Sequence, residues 1–236
     1  MGAAPTPGLI KSVLICGCAT GLVPESYADN FDSIWTLNLA HHDCGVTPDL
    51  VIAMDDLRRD AKAEPGYVER LFDGHKADVL TTVANKKWPR AKPYPLQDVV
   101  DKLAIRRIFA ARLFDNSLNY AFMLAIVRGF KIVGFHGCAF SRLDRPGDPE
   151  AFAADQWNDG PYRKRPDWFK WHAKDTLLTR RPREPGIEAF HFLLGVAVAR
   201  GYDVQFSSPT TIMNFDREPY FYGFEKQPRI KFNDDA

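Results

Sequence analysis

NSLNYAFMLAIVRGFKIVGF, residues 116–135, decides the fold. Leu118, Ala121, Phe122, Ala125 and Ile126 recur at the spacing of one helix face. Asp115, Asn116 and Ser117 supply capping oxygens ahead of them, and Gly129 supplies the stop. Lys131 to Phe135 (KIVGF) then reads at once as a strand. A helix, a glycine and a strand in direct succession form the building unit of a parallel α/β sheet.

The pattern extends both ways. Downstream, Gly186 to Arg200 is a helix with Ile187, Phe190, Leu193, Leu194 and Ala197 on one face. Gly201 ends it, and Tyr202 to Ser207 is a strand. Upstream, Val13 to Cys16, Ser33 to Leu39, Leu50 to Met54 and Ala77 to Val83 read as strands. Pro24 to Asn30 and Pro65 to Phe72 read as short helices, and Leu96 to Phe114 as a longer one. His41 to Pro48 reads as a polar joint and Asn85 to Pro95, with three prolines, as loop. The expected fold is α/β: three layers around a mainly parallel sheet, in one domain over residues 11–215. Residues 1–10 form an expected flexible arm and residues 216–236 a tail. Residues 141–185 lose the apolar period and form a long loop or lid insert, a kind of segment that usually carries function.

Composition narrows the classes. The 236 residues, 45% of them apolar, suffice for one large core. A net charge of +1 gives no global pull toward nucleic acid or membrane. No apolar run approaches the roughly 20 residues of a membrane span. The first residues, MGAAPTPGLIK, lack a basic and apolar leader. Four cysteines, Cys16, Cys18, Cys44 and Cys138, read as free thiols in a reducing cytoplasm.

Several groups carry candidate chemistry. In SVLICGCATGL (12–22) an apolar run breaks at Gly17, and Gly21 follows. This is either a phosphate-approaching turn or a plain strand-to-helix turn. Asp55 and Asp56 end the third strand, where carboxylates can share Mg²⁺ with substrate phosphates. The alternative is a helix cap and a solvated side chain. His41-His42-Asp43-Cys44 resembles a metal cluster, but neighbours on an extended chain point apart and cannot easily close on one ion. His136 stands at the end of KIVGF, next to Gly137, as an acid/base candidate or a satisfied core histidine. His75 and His191 are assigned no role. YRKRPDWFKWHAK (162–174) alternates cations with aromatic rings, which suits a diphosphate, a nucleotide ring or a nucleic acid.

Four blocks, VLICGCATGL (13–22), FDSIWTLN (31–38), NSLNYAFMLAIVRGFKIVGFHGCAF (116–140) and GIEAFHFLLGVAVARGYDVQFSSPTTIMNF (186–215), carry a resemblance. In order and spacing the chain resembles the Rossmann-like bacterial lipooligosaccharide sialyltransferases and their relatives, which include a 6-hydroxymethylpterin diphosphokinase. The resemblance implies a nucleotide held by Gly17, Cys18, Ala19, Thr20, Asn38, Ser117 and Gly137. Cys18 stands where the relatives carry an Asn. Arg180-Arg181-Pro182-Arg183 stands where they carry a catalytic His, so His172, with His136 and Asp55, becomes the acid/base candidate. Tyr162, Arg163, Arg165, Arg181 and Arg183 would hold phosphate or acceptor. The expected function is a nucleotide-dependent, glycosyltransferase-like transfer from a CMP-, UDP- or GDP-linked sugar, with DNA among the acceptors considered. Pro48-Asp49 and Asp55 match the diphosphokinase relatives, so an ATP- and Mg²⁺-dependent reaction stays open, as does a non-catalytic nucleotide- or nucleic-acid-binding module.

Overall fold

The computed structural model describes residues 11–17, 22–63, 65–107, 110, 113–114, 116–138 and 184–207. The expected arm, residues 141–183 of the expected insert, residues 208–215 and the expected tail 216–236 lie outside these residues, while residues 184–185 of the insert open a helix.

Among the described residues, seven strands form one sheet: β1 (Ser12–Cys16), β2 (Ser33–Leu37), β3 (Leu50–Ile52), β4 (Asp78–Thr81), β5 (Ala91–Pro93), β6 (Ile132–His136) and β7 (Asp203–Phe206). Their order is β5-β4-β3-β2-β1-β6-β7, and every pairing is parallel. The chain thus builds outward from β1 to β5, then returns to place β6 on the other side of β1. The order reverses between β1 and β6. In open α/β sheets, ligands bind beyond the carboxyl ends of the strands at such a reversal.

Strand period 2 divides the core. Val13 and Ile15 of β1 face one layer, with Trp35, Phe122, Phe135 and Phe190. Leu14 and Cys16 face the other, with Val23, Ala40 and Cys44. The first layer holds α5 (Leu96–Lys102), α6 (Ser117–Val127) and α7 (Glu184–Ala199). The second holds α1 (Glu25–Ala28), α2 (Ala40–Cys44), α3 (Leu57–Ala63) and α4 (Tyr67–Leu71). An aromatic nucleus ties the first layer to the sheet. Phe135 lies 5.2 Å from Phe122, 5.4 Å from Phe190 and 5.5 Å from Phe206, ring centre to ring centre.

Helix α6 runs back against the strands, so its first turn stands at their carboxyl edge. Asn116 caps it, accepting the Asn119 amide at 3.0 Å.

Three stretches depart from expectation. The polar joint contains α2, whose apolar anchors Ala40 and Cys44 are too few to show a period. The proline-rich loop contains β5, a short edge strand where Pro93 is tolerated. The long helix expected from Leu96 to Phe114 breaks after Lys102, where Ala104 takes a left-handed φ of +52°, and Arg107, Ala110 and Leu113 are helical again beyond the break. Among the described residues, no helix is long and apolar enough to cross a membrane.

Candidate functional site

The order reversal is built from two glycine-terminated strand ends. β1 runs into Gly17 and β6 into Gly137, which has φ +60°. The Gly17 amide donates to the His136 carbonyl at 2.8 Å. That amide is therefore engaged in the sheet, and any phosphate cradle in this turn must use the following amides. Cys18, Ala19 and Thr20, which would supply them, lie outside the described residues.

Asn38 follows β2 directly. Its amide donates to the Ile52 carbonyl at 3.0 Å, and its φ of +50° is left-handed. Asn is one of the few side chains that adopt this conformation readily. The side-chain Oδ1 is buried and finds no hydrogen-bond partner among the described residues. A buried polar atom left in this way calls for an explanation, and a ligand donor at the sheet edge is one. Ser117 opens α6 on the same edge. Its neighbour Asn116 uses Oδ1 as the cap, while the Asn116 Nδ2 is buried without a partner among the described residues. A helix N-terminus with spare donors favours a negatively charged group.

Of the three acid/base candidates, two are described. His136 ends β6. It is buried, and its Nδ1 lies 2.6 Å from the Ser207 Oγ just past β7. Asp55 follows β3, and its backbone carbonyl accepts from the hydroxyls of Thr81 at 2.6 Å and Thr82 at 3.0 Å. His172 and the Tyr162, Arg163, Arg165, Arg181 and Arg183 group lie outside the described residues.

The carboxylates separate by role. Asp56 is a helix cap: its Oδ1 accepts the Arg58 amide at 3.0 Å and pairs with the Arg58 Nε at 3.3 Å. These bonds from Arg58 hold its carboxyl below the ordinary aspartate value. The alternative to metal binding made Asp55 the helix cap; the cap is Asp56 instead. Asp49 sits at the opposite, amino edge, accepting the Ile34 amide at 2.8 Å and the Ser33 hydroxyl at 3.0 Å. Asp49 and Asp55 therefore flank β3 at its two ends and do not converge on one metal. Among the described residues, no group of three His, Cys, Asp or Glu side chains is arranged to hold a metal ion.

The histidines of α2 do come together, with an unexpected third. His41 lies 4.1 Å from His42 and 4.7 Å from His75, ring centre to ring centre. His42 bonds the Arg70 carbonyl at 3.0 Å and His75 the Leu71 carbonyl at 2.8 Å. Burial, with His42 and His75 adding to it, lowers the His41 imidazole to about 4. His75 gave no signal in the sequence because its partner lies over thirty positions away. The cysteines gather at the β1 end: the Cys44 thiol donates to the Gly17 carbonyl at 3.3 Å and the Cys138 thiol to the Ile15 carbonyl at 3.4 Å. Cys16, Cys44 and Cys138 are all buried.

Comparison with protein-family models, with curated proteins and with solved structures returns no match for this chain.

Proposed function

We propose that this chain binds a nucleotide across the carboxyl edge of its sheet, at the β1–β6 reversal, and transfers the group linked to it. The observation that carries the reading is Asn38: left-handed, at the end of β2, with a buried Oδ1 that lacks a partner among the described residues. A ribose hydroxyl or a base N–H is a donor that this oxygen can accept. The α6 N-terminus, with Ser117 and the spare Asn116 Nδ2, suits the phosphate of the same ligand. The sequence resemblance to nucleotide-sugar transferases points to the same positions and makes the transferred group a sugar.

In this reading Asn38 orients the nucleoside, and Ser117 and its helix end hold the phosphate. His136 and Asp55 are the acid/base candidates on the described edge. The donor's leaving group is a nucleotide whose negative charge is stabilised by oriented amides. The capping role of Asp56 and the distance of Asp49 favour this reading over a Mg²⁺-dependent diphosphate transfer.

Titration with CMP, UDP and GDP and their sugar-linked forms, followed by thermal unfolding, tests the proposal. One of these series should raise the melting temperature of the wild-type chain without added metal. If none does, the donor site is not there.

A further inference from the structure

The row of side chains at the sheet edge extends past the nucleotide positions. Cys16 pairs in register with His136, and Phe135 with Phe206. One residue further, Ser207 comes level with His136. Its amide donates to the Phe135 carbonyl at 3.0 Å, which fixes the backbone there. By strand alternation His136 and Ser207 share the face opposite Phe135 and Phe206. The imidazole is buried and the serine only partly so. Their separation, 2.6 Å between Nδ1 and Oγ, is at the short end of hydrogen-bond distances to a hydroxyl.

We infer that Ser207 and His136 form a nucleophile–base dyad that takes an acyl group from an ester. A serine hydroxyl is a weak nucleophile until a base within hydrogen-bond reach accepts its proton. Both groups stand at the carboxyl edge: His136 ends β6, and Ser207 follows β7 directly with its amide bonded to the Phe135 carbonyl, so the sheet sets their geometry. Among the described residues, the register neighbours and those packed behind them, Cys16, Gly137, Phe135 and Phe206, are neutral. Surroundings of this kind suit an uncharged carbonyl better than a phosphate, whose desolvation they would not offset. The inference does not rest on the nucleotide reading.

The Ser207 proton passes to Nδ1 of His136 as Oγ bonds to the ester carbonyl carbon. The tetrahedral adduct collapses, the bond to the leaving alkoxide breaks, and His136 returns the proton to that oxygen. Water then attacks the acyl-serine with His136 as base, releasing the carboxylic acid and restoring Ser207.

The test uses the full chain, a fluorophosphonate probe and p-nitrophenyl acetate, with peptide mapping by mass spectrometry. The fluorophosphonate bonds to Oγ and releases fluoride, leaving a stable adduct. Wild type should be labelled at Ser207 and should hydrolyse the ester. Ser207→Ala should lose both. His136→Gln should slow labelling on the order of 10²-fold or more, the usual share of a general base. A folded wild type without an adduct at Ser207, or a folded His136→Gln labelled at the wild-type rate, overturns the dyad. Ser207→Cys guards against a His136 variant that fails to fold. Its new thiol should react with iodoacetamide faster than Cys138, and a thiol as inert as Cys138 overturns the inference. Nucleotide-induced thermal shifts in Ser207→Ala separate the two readings, because that variant should still bind nucleotide.

Discussion

A β-carbon built on Gly17 would stand 2.5 Å from the carbonyl oxygen of Gly137. The ends of β1 and β6 meet backbone to backbone, with no side chain between them. Glycine at position 17 is thus required by strand contact before any ligand is considered. Gly17→Ala should force the two ends apart and cost about 1–3 kcal/mol, the usual range for overpacking a tight contact. The measurement is the urea midpoint, and an unchanged value would mean that the strand ends can separate freely.

Asn38 allows stability and binding to be separated. Glycine adopts the left-handed conformation without strain, so Asn38→Gly should keep the melting temperature within a few degrees. It should also abolish the nucleotide-induced shift, because the carboxamide oxygen is gone. Asn38→Ala should lose the shift and in addition about 1 kcal/mol of stability, the cost of a β-carbon in that region. A full shift in Asn38→Gly would remove Asn38 from the site.

The cap of α6 should behave independently of ligand. Asn116→Ala removes the acceptor for the Asn119 amide and should cost about 1 kcal/mol. Asn116→Asp keeps the acceptor and the stability, yet places a negative charge where a phosphate is proposed. Its nucleotide affinity should fall while its unfolding midpoint holds. Equal affinity in Asn116→Asp and wild type would move the phosphate elsewhere.

The histidine cluster sets a pH dependence whose sign is fixed. His41 falls from 6.5 to about 4 in the fold, so the fold favours its neutral form. The associated stability is present above pH 6.5 and is lost as pH falls toward 4. At about 1.4 kcal/mol per pKa unit it amounts to ~3 kcal/mol at most. His75 is lowered in the same direction, by burial first. Asp43 opposes them. Burial raises its carboxyl from 3.8 to about 6, so its share of stability is present below pH 3.8 and lost as pH rises through 6. Denaturation midpoints between pH 4 and 6.5 should therefore rise less steeply with pH in His41→Gln than in wild type. In Asp43→Asn they should rise more steeply. Parallel profiles for the two variants would refute the assignment.

Asp56 should prove structural. Asp56→Ala removes the cap of α3 and the contact with Arg58, and should lower the melting temperature. It should leave nucleotide binding and its independence of Mg²⁺ untouched. A metal requirement that vanishes with Asp56 would restore the diphosphokinase reading.

The α/β layering was legible because long elements carry their own period. Leu118 to Ile126 and Phe190 to Ala197 announce buried helix faces without help from the rest of the chain. Short elements do not. β5 is three residues with a proline, and α2 is five residues held by two apolar side chains, so neither repeats enough to be seen. In the site, His136 was visible as a polar residue at a strand end, whereas Asn38 entered only through the family resemblance. Ser207 was read only as the last residue of a strand, since its meaning comes from lying beside a histidine seventy-one positions earlier.

The strand order also bears on how the chain is made. β1 precedes the other six strands in the chain and is flanked on one side by β2, which follows it closely. Its other edge pairs with β6, whose first residue, Ile132, is matched to Ser12. Until the ribosome has released that segment, β1 to β5 can associate only as a partial sheet with the fully buried strand β1 at the margin. Unpaired strand edges of this kind invite association with other chains. Chains truncated before residue 132 should therefore aggregate, while a separately supplied fragment carrying α6 and β6 has a defined place to dock.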